Sequence, residues 1–257
     1  MKVVIFAGGM GTRISEESHL KPKPMIEIGG KPLLWHIMKS YAAYGHKEFI
    51  VCLGYKGQVI KEYFLNYFYY NSDITVDLSN NKTAAHSSIS EDFKVTLVDT
   101  GLHTMTAGRL KQVQDHIGDE EFMLTYGDGV ADIDINELVK FHGSNEKICT
   151  VTAIQPGSRF GIMETADNDL VTDFIEKPND DGAWINGGFF VLKPDVFKYL
   201  KDDANDVMWE RQPMEDLAKD GQLVAFKHKG FWKCMDTIRD KEELEHLWDT
   251  EPKWRAW

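Results

Sequence analysis

The amino-acid sequence predicts an α/β protein built on a Rossmann-like open sheet, mixed but mostly parallel, with helices on its flanks. Three observations lead there. Residues 3–7 form a continuous apolar run that ends in glycines, the pattern of a strand buried on both faces. Extended and helical patterns alternate through the first half of the chain. The glycine-bearing motifs fall directly after apolar runs, where an open parallel sheet gathers its ligand loops.

The elements follow in order. Across residues 32–44, Leu33, Leu34, Ile37, Met38 and Tyr41 recur at helical spacing, and Pro32 suits a first helical turn. Residues 49–53 read as a strand and 56–67 as a second helix. The stretch 79–92 is polar and reads as irregular, after which 95–98 resumes as a strand. Residues 110–116 read as helix, and Phe122–Tyr126 as a buried strand ending in GlyAspGly. In the second half, Cys149–Ile154 and residues 173–176, 184–192 and 223–227 read as strands. Helices are expected near 195–199, 214–219 and 241–248. No repeat, low-complexity tract or Pro/Gly-rich linker divides residues 1–257, so a single domain is expected.

The chain has 257 residues, 42% hydrophobic and 27% charged, ample for a globular core. A formal net charge of -12 argues against nucleic-acid or anionic-membrane partners, which bind clustered Lys and Arg. The three cysteines, Cys52, Cys149 and Cys234, show neither a CxxC pair nor an adjacent His cluster, so core thiols in a reducing cytoplasm are expected rather than disulfides or zinc. The apolar start reaches Gly8 too soon for a signal peptide or a membrane span. The tryptophan-bearing tail, residues 251–257, is expected either to fold back on the core or to pack against another subunit.

The strongest chemical signal is Phe6-Ala7-Gly8-Gly9-Met10-Gly11-Thr12-Arg13, directly after the first strand. Its glycines permit close backbone approach to a polyphosphate, consecutive amides can cradle an anion, and Arg13 adds a charged fork. A dinucleotide fingerprint fails because Ile14 stands where the third glycine belongs, and no Walker GlyLysSer or GlyLysThr is present. Lys21-Pro22-Lys23-Pro24 alone would read as a turn. Asp128, in Tyr126-Gly127-Asp128-Gly129, is a carboxylate at a strand tip, suited to a hard cation. Glu176-Lys177-Pro178 offers a directional acceptor beside a point charge. Asn186, before Gly187 and Gly188, can donate and accept, and a β-bulge is the alternative account of those glycines.

Taken together, GlyGlyMetGlyThrArg, LysProLysPro and GlyGlyLysPro resemble the sugar nucleotidyltransferase family, and the resemblance runs nearly the length of the chain. It implies the nucleotide-diphospho-sugar transferase fold, with residues up to about 130 forming a nucleotide-binding half and those from about 131 a sugar-binding half with the closing helix. It implies a Mg2+-dependent transfer from a nucleoside triphosphate to a sugar 1-phosphate. Lys23, rather than Lys21, matches the family lysine that neutralises charge on the reacting phosphorus. Asp128 and Asp236 match its metal-binding carboxylates, a pairing that the resemblance alone supplies. Glu176 matches the residue that bonds sugar hydroxyls and Lys177 the one that meets the sugar phosphate. Gly161, Asn186 and Gly187 match the remaining sugar-pocket segments.

The resemblance also places base choice in residues 100–110, where family members set residues against the nucleobase edge, with Thr104, Thr106, Gly108 and Arg109 as candidates. Thr104 or a main-chain carbonyl could accept from the cytosine amino group, and Arg109 could bind cytosine O2 or a phosphate. MetThrAlaGlyArgLeu in this stretch resembles the family members that use CTP and glucose 1-phosphate. UTP or dTTP, or another phosphorylated acceptor, is the nearest alternative. A sugar-nucleotide-sensing module without catalysis is the alternative of another class. The family is commonly homo-oligomeric, with the 79–92 insert and the tail as suspected contacts.

Overall fold

Val3 and Ile5 pack into one hydrophobic core while Val4 and Phe6 pack into a second, so strand β1 (Val3–Phe6) is buried on both faces. A continuous apolar run rather than an alternating one follows from that position. The computed structural model describes residues 1–11, 14, 19–88, 90–155, 162–165, 171–175 and 183–257.

Helix α1 (Leu33–Ala43) follows Pro32 and buries Leu33, Leu34, Ile37, Met38 and Tyr41. Strand β2 (Glu48–Leu53) then runs parallel to β1, and α2 (Gly57–Leu65) follows it. Residues 72–88 contain β3 (Ser72–Asp77) and β4 (Lys82–Ser88), an antiparallel hairpin that, among the described residues, pairs only with itself. That corrects the irregular reading of 79–92. Strand β5 (Lys94–Asp99) joins β2 in parallel at one end of the main sheet. Helix α3 (Thr106–Gln112) leads to β6 (Phe122–Tyr126), parallel to β1 on its other side.

Beyond β6 the sheet becomes mixed. After β7 (Gly129–Ala131), helix α4 (Ile135–Asn145) begins where the Asp134 side chain accepts from the Glu137 amide at 3.0 Å. Strand β8 (Cys149–Ile154) comes next, then the antiparallel pair β9 (Ile162–Thr165) and β10 (Val171–Ile175). The stretch 184–192, expected as one strand, is instead β11 (Ile185–Asn186) and β12 (Phe190–Leu192). Gly188 at φ 78° and Phe189 at φ 47° turn the chain between them. Helix α5 (Gln212–Lys219), β13 (Leu223–His228), β14 (Trp232–Cys234) and α6 (Ile238–Thr250) complete the order.

Across the sheet the strands run β13, β8, the interrupted β11 and β12, β6, β1, β2, β5. The pairs β1–β2, β1–β6, β2–β5 and β8–β13 are parallel, while β8 and β6 meet the interrupted strand antiparallel. This is the mixed, mostly parallel sheet that the sequence predicts. The C-terminal tail folds back on its own core, where Trp254 is 1% exposed and donates to His36 Nδ1 at 3.3 Å. Among the described residues, no helix is long and apolar enough to cross a membrane.

Candidate active site

The carboxyl ends of β1, β2, β5 and β6 lie on one edge of the sheet, and a cleft of about 300 Å³ opens there. That volume reaches the lower range of small-molecule sites. Phe6, Ala7, Gly8, Gly9 and Gly11 line it from the loop after β1, Lys23 and Pro24 from a tight turn, and Thr104, Met105, Thr106 and Arg109 from the start of α3. Tyr126, Gly127 and Asp128 enter from the end of β6, while Met208 and Asp236 close it.

The two aspartates meet because of strand register. Antiparallel pairing sets Cys234 opposite Gly129, and the Met235 amide donates to the Asp128 carbonyl at 2.8 Å. Asp236 therefore emerges beside Asp128. Its own amide donates to Asp240 Oδ2 at 3.0 Å, and Thr237 and Asp240 form a reciprocal cap at the start of α6. The exit of the chain from β14 is thus held on both sides of Asp236.

Lys23 lies in the turn Lys23–Met25 between two prolines and is 8% exposed. Its Nζ donates to Asp128 Oδ2 at 2.8 Å and to Asp236 Oδ1 at 2.5 Å. Burial works against the ammonium, but the two carboxylates outweigh it and hold the Lys23 pKa above its ordinary value. Two carboxylates directed at one point are hard oxygen donors of the kind that bind Mg2+ through one or two carboxylates, with phosphate and water oxygens completing the shell. The residues present therefore fit a divalent cation shared with a polyphosphate. No group of three or more His, Cys, Asp or Glu gathers as a metal cage among the described residues.

Arg109, which lines the cleft, is also bonded to the loops around it. It is 4% exposed, and its guanidinium donates to the carbonyls of Leu53 at 2.8 Å, Gly101 at 2.9 Å and Gly8 at 3.1 Å, and to Thr100 Oγ1 at 2.7 Å. These groups terminate β1, β2 and β5, so the arginine ties the ligand loops together from beneath. A Cβ at Gly8 would stand 2.2 Å from Arg109 Nη1, and one at Gly54 2.6 Å, which explains both glycines by close approach. Gly108 is likewise tight against Asn205 and Ala204, and Gly187 against Ile154 and Thr152. Their lack of a side chain is explained by packing within the chain.

Met10 is exposed on the glycine loop, and Asn186 on β11 donates to the Tyr126 hydroxyl at 3.0 Å. Thr12, Arg13, Gly161, Glu176 and Lys177 lie outside the described residues. Sequence reasoning missed Tyr126, Met208 and Glu210. Tyr126 directly precedes Gly127-Asp128 and could have been found by adjacency. Met208 reaches the cleft, and Glu210 the back of its walls, through main-chain bonds of residues 205 and 207 to the start of α3, for which no local pattern exists.

Comparison with known proteins adds the family. The profile of the Nucleotidyl transferase family matches residues 2–244. The glucose-1-phosphate cytidylyltransferase of Salmonella typhimurium is 53% identical, with 100% of each chain covered. The mannose-1-phosphate guanyltransferase of Aspergillus oryzae is 29% identical over 95% of this chain and 62% of its own. Among solved structures, a UDP-glucose pyrophosphorylase bound to UDP-glucose superimposes with a TM-score of 0.67 at 18% identity, covering 97% of this chain and 98% of that one, a likeness of fold. On a match spanning almost all of its length, the chain belongs to the nucleotidyl transferase family.

Proposed function

We propose that the chain transfers a cytidylyl group from CTP to α-D-glucose 1-phosphate, giving CDP-glucose and pyrophosphate. The observation that carries this reading is the meeting of Lys23, Asp128 and Asp236 in the cleft behind the glycine loop, in a chain 53% identical over its full length to a glucose-1-phosphate cytidylyltransferase.

An oxygen of the sugar phosphate attacks the α-phosphorus in line. The new P–O bond forms as the bond to the α,β-bridging oxygen breaks, and pyrophosphate leaves with the electron pair. The nucleophile is already anionic, so positioning and charge neutralisation suffice without a general base. Lys23 offsets charge on the five-coordinate phosphorus. A divalent cation, Mg2+ in this proposal, supplies further neutralisation when bound, and Asp128 and Asp236 are the residues that would hold it.

The remaining assignments belong to the same proposal. Arg13 and residues 8–12 hold the triphosphate, and Thr104 and Thr106 face the base side. Arg109 binds cytosine O2 or a phosphate from the cleft wall and also fixes the loops. Glu176, Asn186 and the segment of Gly161 and Gly187 bind the sugar, and Lys177 its phosphate. Residues up to about 130 serve the nucleotide and those from about 131 the acceptor. Three free thiols and a need for nucleoside triphosphates suit the cytoplasm.

A homo-oligomer is also proposed. Leu65, Phe68, Tyr69, Tyr70, Ile74, Val76 and Leu78 are all exposed along the end of α2, the short helix Tyr67–Tyr70 that follows it, and the β3–β4 hairpin. A two-stranded hairpin with both faces in water is marginal alone, so a second copy of the chain is the proposed cover.

The test of the reaction is pyrophosphate release with Mg2+, using CTP, UTP, dTTP, ATP and GTP against glucose 1-phosphate and other sugar 1-phosphates. Release with CTP and glucose 1-phosphate alone is expected. Release with another pair would replace the substrates, and no release with any pair would favour the sensing module.

A further inference from the structure

Glu210 does not line the cleft, yet it bonds to both walls of it. Its Oε2 accepts from Thr106 Oγ1 at 2.8 Å, and its Oε1 accepts from the Tyr126 hydroxyl at 2.7 Å. The Tyr126 oxygen in turn accepts from Asn186 Nδ2 at 3.0 Å. Thr106 opens α3 on the proposed nucleotide side, and Asn186 stands on β11 on the proposed sugar side.

The sense of these bonds is dictated by chemistry. An ionised carboxylate only accepts, so both hydroxyl protons must point at Glu210. The Thr106 oxygen is then left to accept from the Trp209 amide, which it does at 2.7 Å. The Tyr126 oxygen is left to accept from Asn186, whose Oδ1 accepts from the Gly188 amide at 2.9 Å, so the amide orientation is set at both ends. Burial and the nearby Glu210 charge push the Tyr126 phenol well above its ordinary pKa, which keeps its proton in place.

We propose that Glu210 is a positioning residue that uses one carboxylate to orient the Thr106 hydroxyl on the nucleotide side and, through Tyr126, the Asn186 amide on the acceptor side. The assignment rests on the reaction proposed above. It makes the placement of both substrates depend on a residue that touches neither Lys23 nor the aspartate pair among the contacts seen.

The experiment measures kcat and both KM values for the full-length chain with CTP and glucose 1-phosphate, in wild type, Glu210→Ala, Glu210→Gln and Tyr126→Phe. Glu210→Ala is expected to raise both KM values by about tenfold, the loss of roughly one well-placed hydrogen bond on each side. Tyr126→Phe cuts only one arm and should raise the glucose 1-phosphate KM more than the CTP KM. Glu210→Gln keeps the shape and one accepting oxygen, so it should restore one KM more than the other. If Glu210→Ala does not fold, the glutamine and phenylalanine variants carry the same test. A purely structural role would lower kcat through a smaller active fraction and leave both KM values unmoved, and that result overturns the assignment. Wild-type protein inactive with every substrate pair would overturn the reaction itself and this inference with it.

Discussion

Lys23 Nζ and Asp236 Oδ1 stand 2.5 Å apart although 213 positions separate them in sequence. The contact joins the turn after the glycine loop to the exit of β14, and it exists because β14 pairs with β7 in a register that delivers Asp236 to Asp128.

Removing one carboxylate from this pair should disable turnover while leaving the ammonium a partner. Asp236→Asn and Asp128→Asn are each expected to lower kcat by about a hundredfold or more, as loss of an electrostatic stabiliser does. Steady-state pyrophosphate release checks it, and near-normal turnover in Asp236→Asn would show the aspartate pairing to be wrong.

Arg109 should matter to stability as much as to binding. Arg109→Lys keeps the charge but cannot reach the carbonyls of Gly8, Leu53 and Gly101 in one planar fork. At least one buried acceptor left without its bond costs about 1–3 kcal/mol. The unfolding midpoint should fall by roughly 2–10 °C by differential scanning fluorimetry. An unchanged midpoint would show that the fork contributes nothing.

Burial lowers the His36 pKa from its ordinary 6.5 to about 4. The neutral ring donates from Nε2 to the Ile28 carbonyl and accepts from Trp254 at Nδ1. Between pH 6.5 and about 4 the unfolded chain takes up this proton and the folded chain does not, so stability falls as pH falls. The loss attributable to His36 is roughly 1.4 kcal/mol per pH unit inside that window, and it levels off below it. Urea unfolding of wild type and His36→Gln across pH 4–7 checks this, the variant having the shallower acid slope. Equal slopes would rule His36 out.

The exposed apolar strip predicts an assembly that surface charge can dissolve. Tyr70→Glu combined with Val76→Glu should shift the sedimentation coefficient toward that of a single chain. Truncation after residue 250 should instead lower stability, because Trp254 belongs to the core of its own chain. No sedimentation change in the double variant would place the contact elsewhere.

Much of the central sheet was legible because its signals are local. Residues 3–7, 49–53 and 122–124 are apolar runs whose burial writes itself directly into composition, and 149–154 adds only Thr150 and Thr152 to apolar neighbours. The β3–β4 hairpin was missed although Ile74, Val76 and Leu78 alternate with Asp73, Thr75 and Asp77, because the polar β4 offers no matching alternation to mark a second strand. Helix α4 was missed although Asp134 caps it, and β7 and β14 are too short for any periodic signal. The break at Gly187 to Phe189 likewise depends on what β11 and β12 meet on either side.

By itself, the sequence determined the open α/β class, the glycine loop after β1, and the residue types that a phosphate-handling site needs. These rest on backbone geometry and charge within a few residues of one another. Tertiary structure alone decided that Arg109 donates to the carbonyls of Gly8, Leu53 and Gly101, that Glu210 spans both walls of the cleft, and that Lys23 meets both aspartates. A buried polar group takes whichever partners the packed fold brings within about 3 Å, and which partners those are is set by strand register and element docking far along the chain.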